Sequence, residues 1–92
     1  MPGNNDHPYA IEYLRQVVDQ DIPALPKKIR ETIKRAIEAR LTIDPIGFGK
    51  PLQYSLKGHR RLRVSHYRIV YRIGIDDHIV TIVAIKHRKN VY

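Results

Sequence analysis

Residues 60–73 read RRLRVSHYRIVYRI, and this stretch decides the fold. Its apolar and basic residues alternate, so each half has the pattern of a strand with one apolar and one basic face. In the first strand Leu62 and Val64 share one face, and Arg61, Arg63 and Ser65 share the other. In the second strand the apolar face holds Tyr67, Ile69, Tyr71 and Ile73, and the opposite face holds Arg68, Val70 and Arg72. The pattern predicts two adjacent strands with a basic surface opposite the core.

Two helices are predicted before this stretch. Residues 26–41 read PKKIRETIKRAIEARL, and their apolar side chains recur at the spacing that places them on one face of a helix. Pro26 suits the first helical position, because the N–H that it lacks would have no helical partner there. Residues 16–25 are predicted as a shorter helix that Pro23 must end or kink. The longer helix is expected to cover the apolar face of the sheet.

Strands are also predicted near both ends of the chain. Residues 8–14 alternate with a period of two and form a first short strand. Residues 78–85 form the last strand, and a turn over residues 74–77 joins it to the preceding strand as a hairpin. Residues 44–58 contain several glycines and prolines and are predicted as an irregular connection. The element order is therefore strand, helix, helix and three strands.

The basic residues are concentrated in the second half of the chain. The 92 residues include 17 Lys and Arg against 9 Asp and Glu, a formal net charge of +8. Residues 1–46 hold seven of each sign, whereas residues 47–92 hold ten basic residues against Asp76 and Asp77. Charges of one sign repel each other unless an anion is bound. A polyanionic partner is expected, and nucleic acid is favoured over a membrane surface because the charges lie on predicted strands.

Composition excludes several classes of protein. The chain has no cysteine, which rules out disulfides, thiolate metal sites and a thiol nucleophile. No leader pattern or membrane-spanning apolar stretch is present, so we expect a cytoplasmic protein with one domain over residues 1–92 and a flexible tail over residues 1–7. The sequence contains no phosphate-binding loop, dinucleotide fingerprint or His-Glu zinc motif, so neither a cofactor nor a metal is expected.

Four segments carry a resemblance to a known family. They are FGKPL (48–52), LKGHRRLRV (56–64), YRIVYRI (67–73) and HRKNVY (87–92), in that order and spacing. With them, the chain from Ile22 to Tyr92 resembles the RelE/ParE toxin superfamily. The resemblance implies an α+β fold in which two N-terminal helices pack on one face of a small, largely antiparallel sheet, in the order β-α-α-β-β-β. This order agrees with the one predicted from the residues alone.

The resemblance also implies a function. RelE-type members are toxins of type II toxin-antitoxin systems that cleave mRNA in the ribosomal A site, by attack of a ribose 2′-OH on the adjacent phosphate. The implied partners are mRNA, ribosomal RNA and a cognate antitoxin protein. ParE-type members share the fold but inhibit DNA gyrase without nuclease activity, and this class stays as the alternative. The paired basic residues and the HRKNVY ending favour the RelE type.

The resemblance assigns basic residues to the reaction and to RNA binding. Arg61 and Arg63 match paired basic positions on a strand of the family, and Arg68 matches an arginine that follows an aromatic residue. A guanidinium group stays protonated and offers a rigid fork to phosphate oxygens, so these three residues are assigned charge stabilisation. The residues expected to bind RNA outside the reaction itself are Lys57, Arg60, Arg88 and Lys89.

Proton transfer is assigned to the C-terminal segment. RelE members carry lysines at the paired strand positions, so the two arginines here leave the general base open. His87 is the first choice and Lys86 the second, because each changes its charge more readily than arginine. Tyr92 is expected either to stack on an unpaired base or to bind the phosphate. The remaining histidines of this half, at predicted turns or strand ends, are set aside: His59, His66 and His78.

Overall fold

A computed structural model describes residues 7–90 and shows five strands in one sheet. The strands are β1 (Ala10–Tyr13), β2 (Lys50–Pro51), β3 (Arg60–Val64), β4 (Tyr67–Gly74) and β5 (Ile79–His87). They lie in the order β1-β5-β4-β3-β2, with β1 parallel to β5 and every other pair antiparallel. The small, largely antiparallel sheet is therefore confirmed, and so is the hairpin of the last two strands.

The helices lie before the third strand and pack against the apolar face of the sheet. A π-helical segment (Val17–Asp21) ends before Pro23, which cannot continue it. The helix α1 (Lys27–Ala36) continues as a π-helical turn (Ile37–Leu41), so the predicted long helix is confirmed. A short helix, α2, and two 3₁₀ turns complete the described elements; their bounds are Pro45–Phe48, Tyr54–Leu56 and Arg88–Asn90.

The core lies between these helices and one face of the sheet. On β3 and β4 it contains the apolar residues that the alternation predicts, and Ile69 and Tyr71 are fully buried. The helices contribute one buried residue per turn, which is the predicted spacing of a helix with one apolar face. The other members of this buried cluster are Val17, Leu25, Ile33, Ile37, Leu41, Leu62, Val64, Val80, Ile82 and Ile85.

The helix α2 and the strand β2 lie where the sequence predicts an irregular connection, so that prediction is wrong over these two elements. The Asp44 side chain accepts a hydrogen bond from the Gly47 N–H at 2.9 Å and caps the helix, and Pro45 takes the first helical position. The cap and the proline together start a helix that the following Gly49 ends in an extended conformation. The connection is therefore ordered by local hydrogen bonds.

Side chains of the sheet hold this connection in place. The buried Tyr71 hydroxyl donates a hydrogen bond to the Pro45 carbonyl at 2.6 Å. The Arg60 guanidinium donates to the carbonyls of Ile46 and Gly49, at 2.8 and 3.1 Å. Burial raises the pKa of the Tyr71 hydroxyl, although the neighbouring Arg60 acts in the opposite direction. The phenol is thus kept as a hydrogen-bond donor to the loop.

The predicted N-terminal tail lies outside the described residues except for His7. The carbonyl of His7 accepts a hydrogen bond from the His78 ring, which stacks on Tyr9 with 3.7 Å between ring centroids. These contacts lie at the β4–β5 turn, at the end of the sheet away from Ser65. Across residues 7–90, every helix is too short or too polar to cross a membrane.

Candidate nucleic-acid interface

Arginines project from the face of the sheet that points away from the helices, and three of them lie together on the β3–β4 pair. In the β3–β4 pair, Arg63 lies opposite Arg68, and Arg61 lies opposite Val70. Cross-strand partners project to the same side, so the register places the three guanidinium groups on one surface, which we call the arginine face. Val70 is 3% exposed and forms an apolar floor between them. The basic surface predicted from the alternation is therefore present in the fold.

The guanidinium groups of the arginine face lie close enough together for their positive charges to repel one another. Burial, followed by the positive charges of Arg63 and Arg68, lowers the pKa of Arg61. The sequence supplies no Asp or Glu between Pro45 and Ile75 to offset this repulsion. A bound anion would relieve it, because each guanidinium would gain a charge-assisted hydrogen bond. The face is thus suited to a phosphate group.

Lys86 lies beside the arginine face by register but uses its ammonium group elsewhere. It pairs with Arg68 across β4 and β5, while its Nζ atom forms an ion pair with the Asp21 carboxylate at 3.2 Å. Asp21 is buried and also accepts a hydrogen bond from the Ile85 N–H at 2.9 Å. This carboxylate occupies the edge of β5 beyond the last residue that pairs with β1. Lys86 therefore neutralises a buried acid that holds the strand edge.

His87 lies on the opposite face of the sheet from the three arginines. It pairs with Tyr67 across β4 and β5, and the two rings meet edge to face with 5.1 Å between centroids. Its Nδ1 atom accepts a hydrogen bond from the Lys89 N–H at 3.1 Å. The ring lines a separate cavity of about 280 Å³ together with Asp21 and Leu25 of the helical side. By register His87 thus projects to the other side from the three arginines, while its ring lies at the hairpin end, with 6.1 Å between its centroid and that of His66.

The other residues predicted to act in RNA binding or cleavage lie in separate parts of the fold. Lys57 is exposed in the turn before β3, and Arg88 and Lys89 are exposed in the 3₁₀ turn after β5. Arg60 shares the helix-facing side with Leu62 and donates hydrogen bonds to the α2 connection, so the fold separates it from the arginine face. Tyr92 lies outside the described residues.

A small cavity at the end of the β3–β4 hairpin brings together residues that the sequence left apart. It measures about 110 Å³, and its lining includes Arg63 and Arg68 of the arginine face together with Arg88. His66, which the sequence set aside as a turn residue, lines the same cavity. Its carbonyl accepts a hydrogen bond from the Arg88 N–H at 2.8 Å, which fixes the C-terminal turn beside the hairpin. We call this space the hairpin-end cavity.

The fold and the arginine face define a small α+β protein with a basic, acid-poor surface for a polyanion. Comparison with known proteins gives the family: residues 7–92 match the model of the ParE toxin of type II toxin-antitoxin systems, parDE. The chain belongs to this family, within the RelE/ParE toxin superfamily. The resemblance stated from the four sequence segments is therefore confirmed.

Individual relatives agree with this assignment. The chain is similar to Toxin RelE of Mycobacterium tuberculosis, with 33% identity over 97% of this chain and 91% of the relative. It is also similar to Toxin RelG of the same organism, with 29% identity over 92% of this chain and 97% of the relative. Its fold matches the toxin-antitoxin complex RelBE2 of that organism with a TM-score of 0.82 and 30% identity, over 88% of this chain and 99% of the other.

Proposed function

We propose that this chain is a ribosome-dependent endoribonuclease that cleaves mRNA by attack of a ribose 2′-OH on the adjacent phosphate. The arginine face carries the proposal, because Arg61, Arg63 and Arg68 converge on one surface of β3 and β4, in a stretch of sequence without Asp or Glu. In this reaction negative charge grows on the phosphate oxygens as the new bond forms. Guanidinium groups already held in place on two strands stabilise that charge without reorganising. The similarity to proteins named RelE supports this reaction over gyrase inhibition.

The remaining candidates receive roles that follow from their positions. Lys57, Arg88 and Lys89 are exposed, and Arg88 lines the hairpin-end cavity with two members of the arginine face. All three are suited to contacts with the backbones of mRNA and ribosomal RNA, which are salt-sensitive and independent of sequence. We assign Arg60 a structural role, because its donors serve the α2 connection. Tyr92 is proposed to stack on a base of the codon.

The test is to sequence RNA ends after brief expression of the chain in cells. We expect cuts at a fixed phase relative to codons, confined to translated messages, because the ribosome presents mRNA one codon at a time. The alternative function predicts no such cuts and instead predicts DNA broken at gyrase sites. RNA ends that equal those of uninduced cells, together with gyrase-linked breaks, would contradict the proposal and support the ParE type.

A cognate antitoxin is proposed to bind the helical side. An apolar groove of about 220 Å³ opens there between α1 and the sheet, and Arg30 and Lys34 stand at its rim. An amphipathic helix with acidic residues beside its apolar face fits this combination, because the apolar face fills the groove while the acids meet the two cations. The apolar residues of the groove are Tyr13, Ile22, Leu25, Ile33, Ile37 and Ile85.

Charge reversal at the groove rim tests this site. Lys34→Glu is expected to weaken antitoxin binding about tenfold at low salt, because an attraction becomes a repulsion. Lys28→Glu is the matched control, since it changes the same charge on the same helix outside the groove. The measurement is the dissociation constant of the purified pair at two salt concentrations. Equal losses in the two variants would mean that only the net charge of the chain matters.

A further inference from the structure

The hairpin-end cavity contains a titratable side chain beside the arginine face. The guanidinium groups of Arg63, Arg68 and Arg88 line it together with His66. An arginine stays protonated and can stabilise charge but cannot take a proton. Among the residues that line this cavity, His66 therefore carries the side chain whose chemistry suits it to act as a general base.

Contacts elsewhere weaken the two candidates for proton transfer that the sequence favours. The Lys86 ammonium is paired with the buried Asp21 carboxylate at 3.2 Å, and removing its proton would leave that charge without a partner. The His87 ring packs against Tyr67 on the helical side, and although its centroid lies 6.1 Å from that of His66, it is not among the residues that line the hairpin-end cavity. The arginine face therefore needs a base from another position.

The backbone of the hairpin turn fixes His66 in its place. The preceding Ser65 has a φ of 55°, a conformation that a residue with a side chain adopts at a cost. The His66 carbonyl also accepts the Arg88 N–H at 2.8 Å. The turn is therefore held both by its two strands and by the C-terminal segment. A side chain on such a turn keeps its position relative to the arginines without a large loss of entropy on substrate binding.

We propose that His66 is the general base of the cleavage reaction, an inference that rests on the proposed function. A neutral His66 ring nitrogen takes the proton of the ribose 2′-OH while the 2′ oxygen bonds to phosphorus. The bond from phosphorus to the 5′ oxygen breaks, and the departing oxygen takes a proton from water. His66 then releases its proton to the hydroxide that remains. The products are a 2′,3′-cyclic phosphate and a 5′-hydroxyl end, and the net proton count is unchanged.

The neighbouring charges suit this assignment. Three arginines line the cavity together with His66, so the charges that would hold a phosphate lie beside the group that takes the proton. When a phosphate enters, its negative charge offsets the guanidinium groups and stabilises the imidazolium that forms during attack. The same arginines thus bind the phosphate whose charge favours proton transfer to His66. Proton transfer and charge stabilisation are provided by one cavity.

The first test measures single-turnover cleavage of mRNA on programmed ribosomes between pH 5.5 and 9. His66→Gln is expected to lose roughly 100-fold in rate and to lose the rise of rate with pH, because an amide cannot titrate. His78→Asn is the matched control, since His78 lies at the opposite end of β4 and asparagine tolerates its φ of 62°. His87→Gln is expected to keep the pH profile of the unchanged chain.

The outcomes separate this inference from the proposed function. If the unchanged chain does not cleave mRNA on ribosomes, both are overturned. If it cleaves and His66→Gln keeps its rate and pH profile, only the role of His66 is overturned, and a lost profile in His87→Gln would move the role there. Circular dichroism checks that each variant folds, and His66→Asn replaces the glutamine variant if that one does not fold.

A second measurement uses the unchanged full-length chain and needs no cleavage. An RNA trinucleotide methylated at its 2′ oxygens cannot react but still carries the phosphates. Titrating it while following the histidine ring signals by NMR should shift the His66 signals and leave those of His78 in place. Shifts at His87 with none at His66 would overturn the proposal, since the phosphate would then lie beside the neighbouring histidine instead.

Discussion

Arg68→Ala is expected to abolish growth arrest and to slow mRNA cleavage by about 100–1000-fold, the usual cost of removing one preorganised donor from a developing negative charge. Arg68 is the arginine that faces Arg63 on one side and Lys86 on the other, so it lies at the centre of the basic row on β3, β4 and β5. It also lines the hairpin-end cavity. The measurement is the single-turnover rate on programmed ribosomes.

Arg72→Ala is the matched control for this prediction. Arg72 lies on the same strand and carries the same charge, but it is exposed and pairs with Thr81, at a distance from the hairpin-end cavity. If only the net charge of the sheet mattered, the two variants would lose the same activity. Full toxicity of a soluble Arg68→Ala variant would contradict the assigned role, and equal losses in both variants would reduce it to general attraction of RNA.

The three long strands and the long helix could be predicted because each has an unbroken periodic pattern. Leu62, Ile69 and Tyr71 are buried as the alternation requires, and Arg61 and Arg63 share the opposite face. The same alternation also indicates the side of the sheet on which Arg60 lies, although the family resemblance assigned this residue to RNA binding. Arg60 has the parity of Leu62, so its position on the helical side followed from the sequence.

Other parts of the site depend on contacts that the sequence does not display. The pairing of Lys86 with Asp21 joins residues 65 positions apart. Asp21 reaches the edge of β5 because β1 pairs with that strand only as far as Ile82. His66 gains its neighbours because Arg88 folds back onto the hairpin turn. The α2 helix was a different case, since Asp44 followed by Pro45 is a recognised helix start. The same two residues also interrupt the helical pattern of residues 26–41 and precede Gly47, Gly49 and Pro51, which is why the sequence favours an irregular connection there.

The second large effect is expected at Gly49, which is buried where the α2 connection meets the sheet. A Cβ atom at this position would lie 1.7 Å from the Tyr71 hydroxyl oxygen and 3.0 Å from the Arg61 carbonyl oxygen. Tyr71 is fully buried and its hydroxyl donates to Pro45, so it cannot move without breaking that bond. Gly49→Ala is expected to lower the free energy of unfolding by about 3 kcal/mol, from overpacking and a lost buried hydrogen bond.

Urea unfolding of the full chain, followed by circular dichroism, measures this change. Gly74→Ala is the matched control, because its added Cβ would lie at an ordinary 3.5 Å from the nearest atom. Tyr71→Phe alone should cost about 1–2 kcal/mol, because the Pro45 carbonyl loses its donor. The double variant Gly49→Ala with Tyr71→Phe should cost less than the sum of the two, since phenylalanine lacks the hydroxyl oxygen at 1.7 Å and leaves only the milder contact with Cζ at 2.8 Å. Additive losses, or a Gly49→Ala variant as stable as Gly74→Ala, would show that the α2 connection moves aside to accommodate the added Cβ atom.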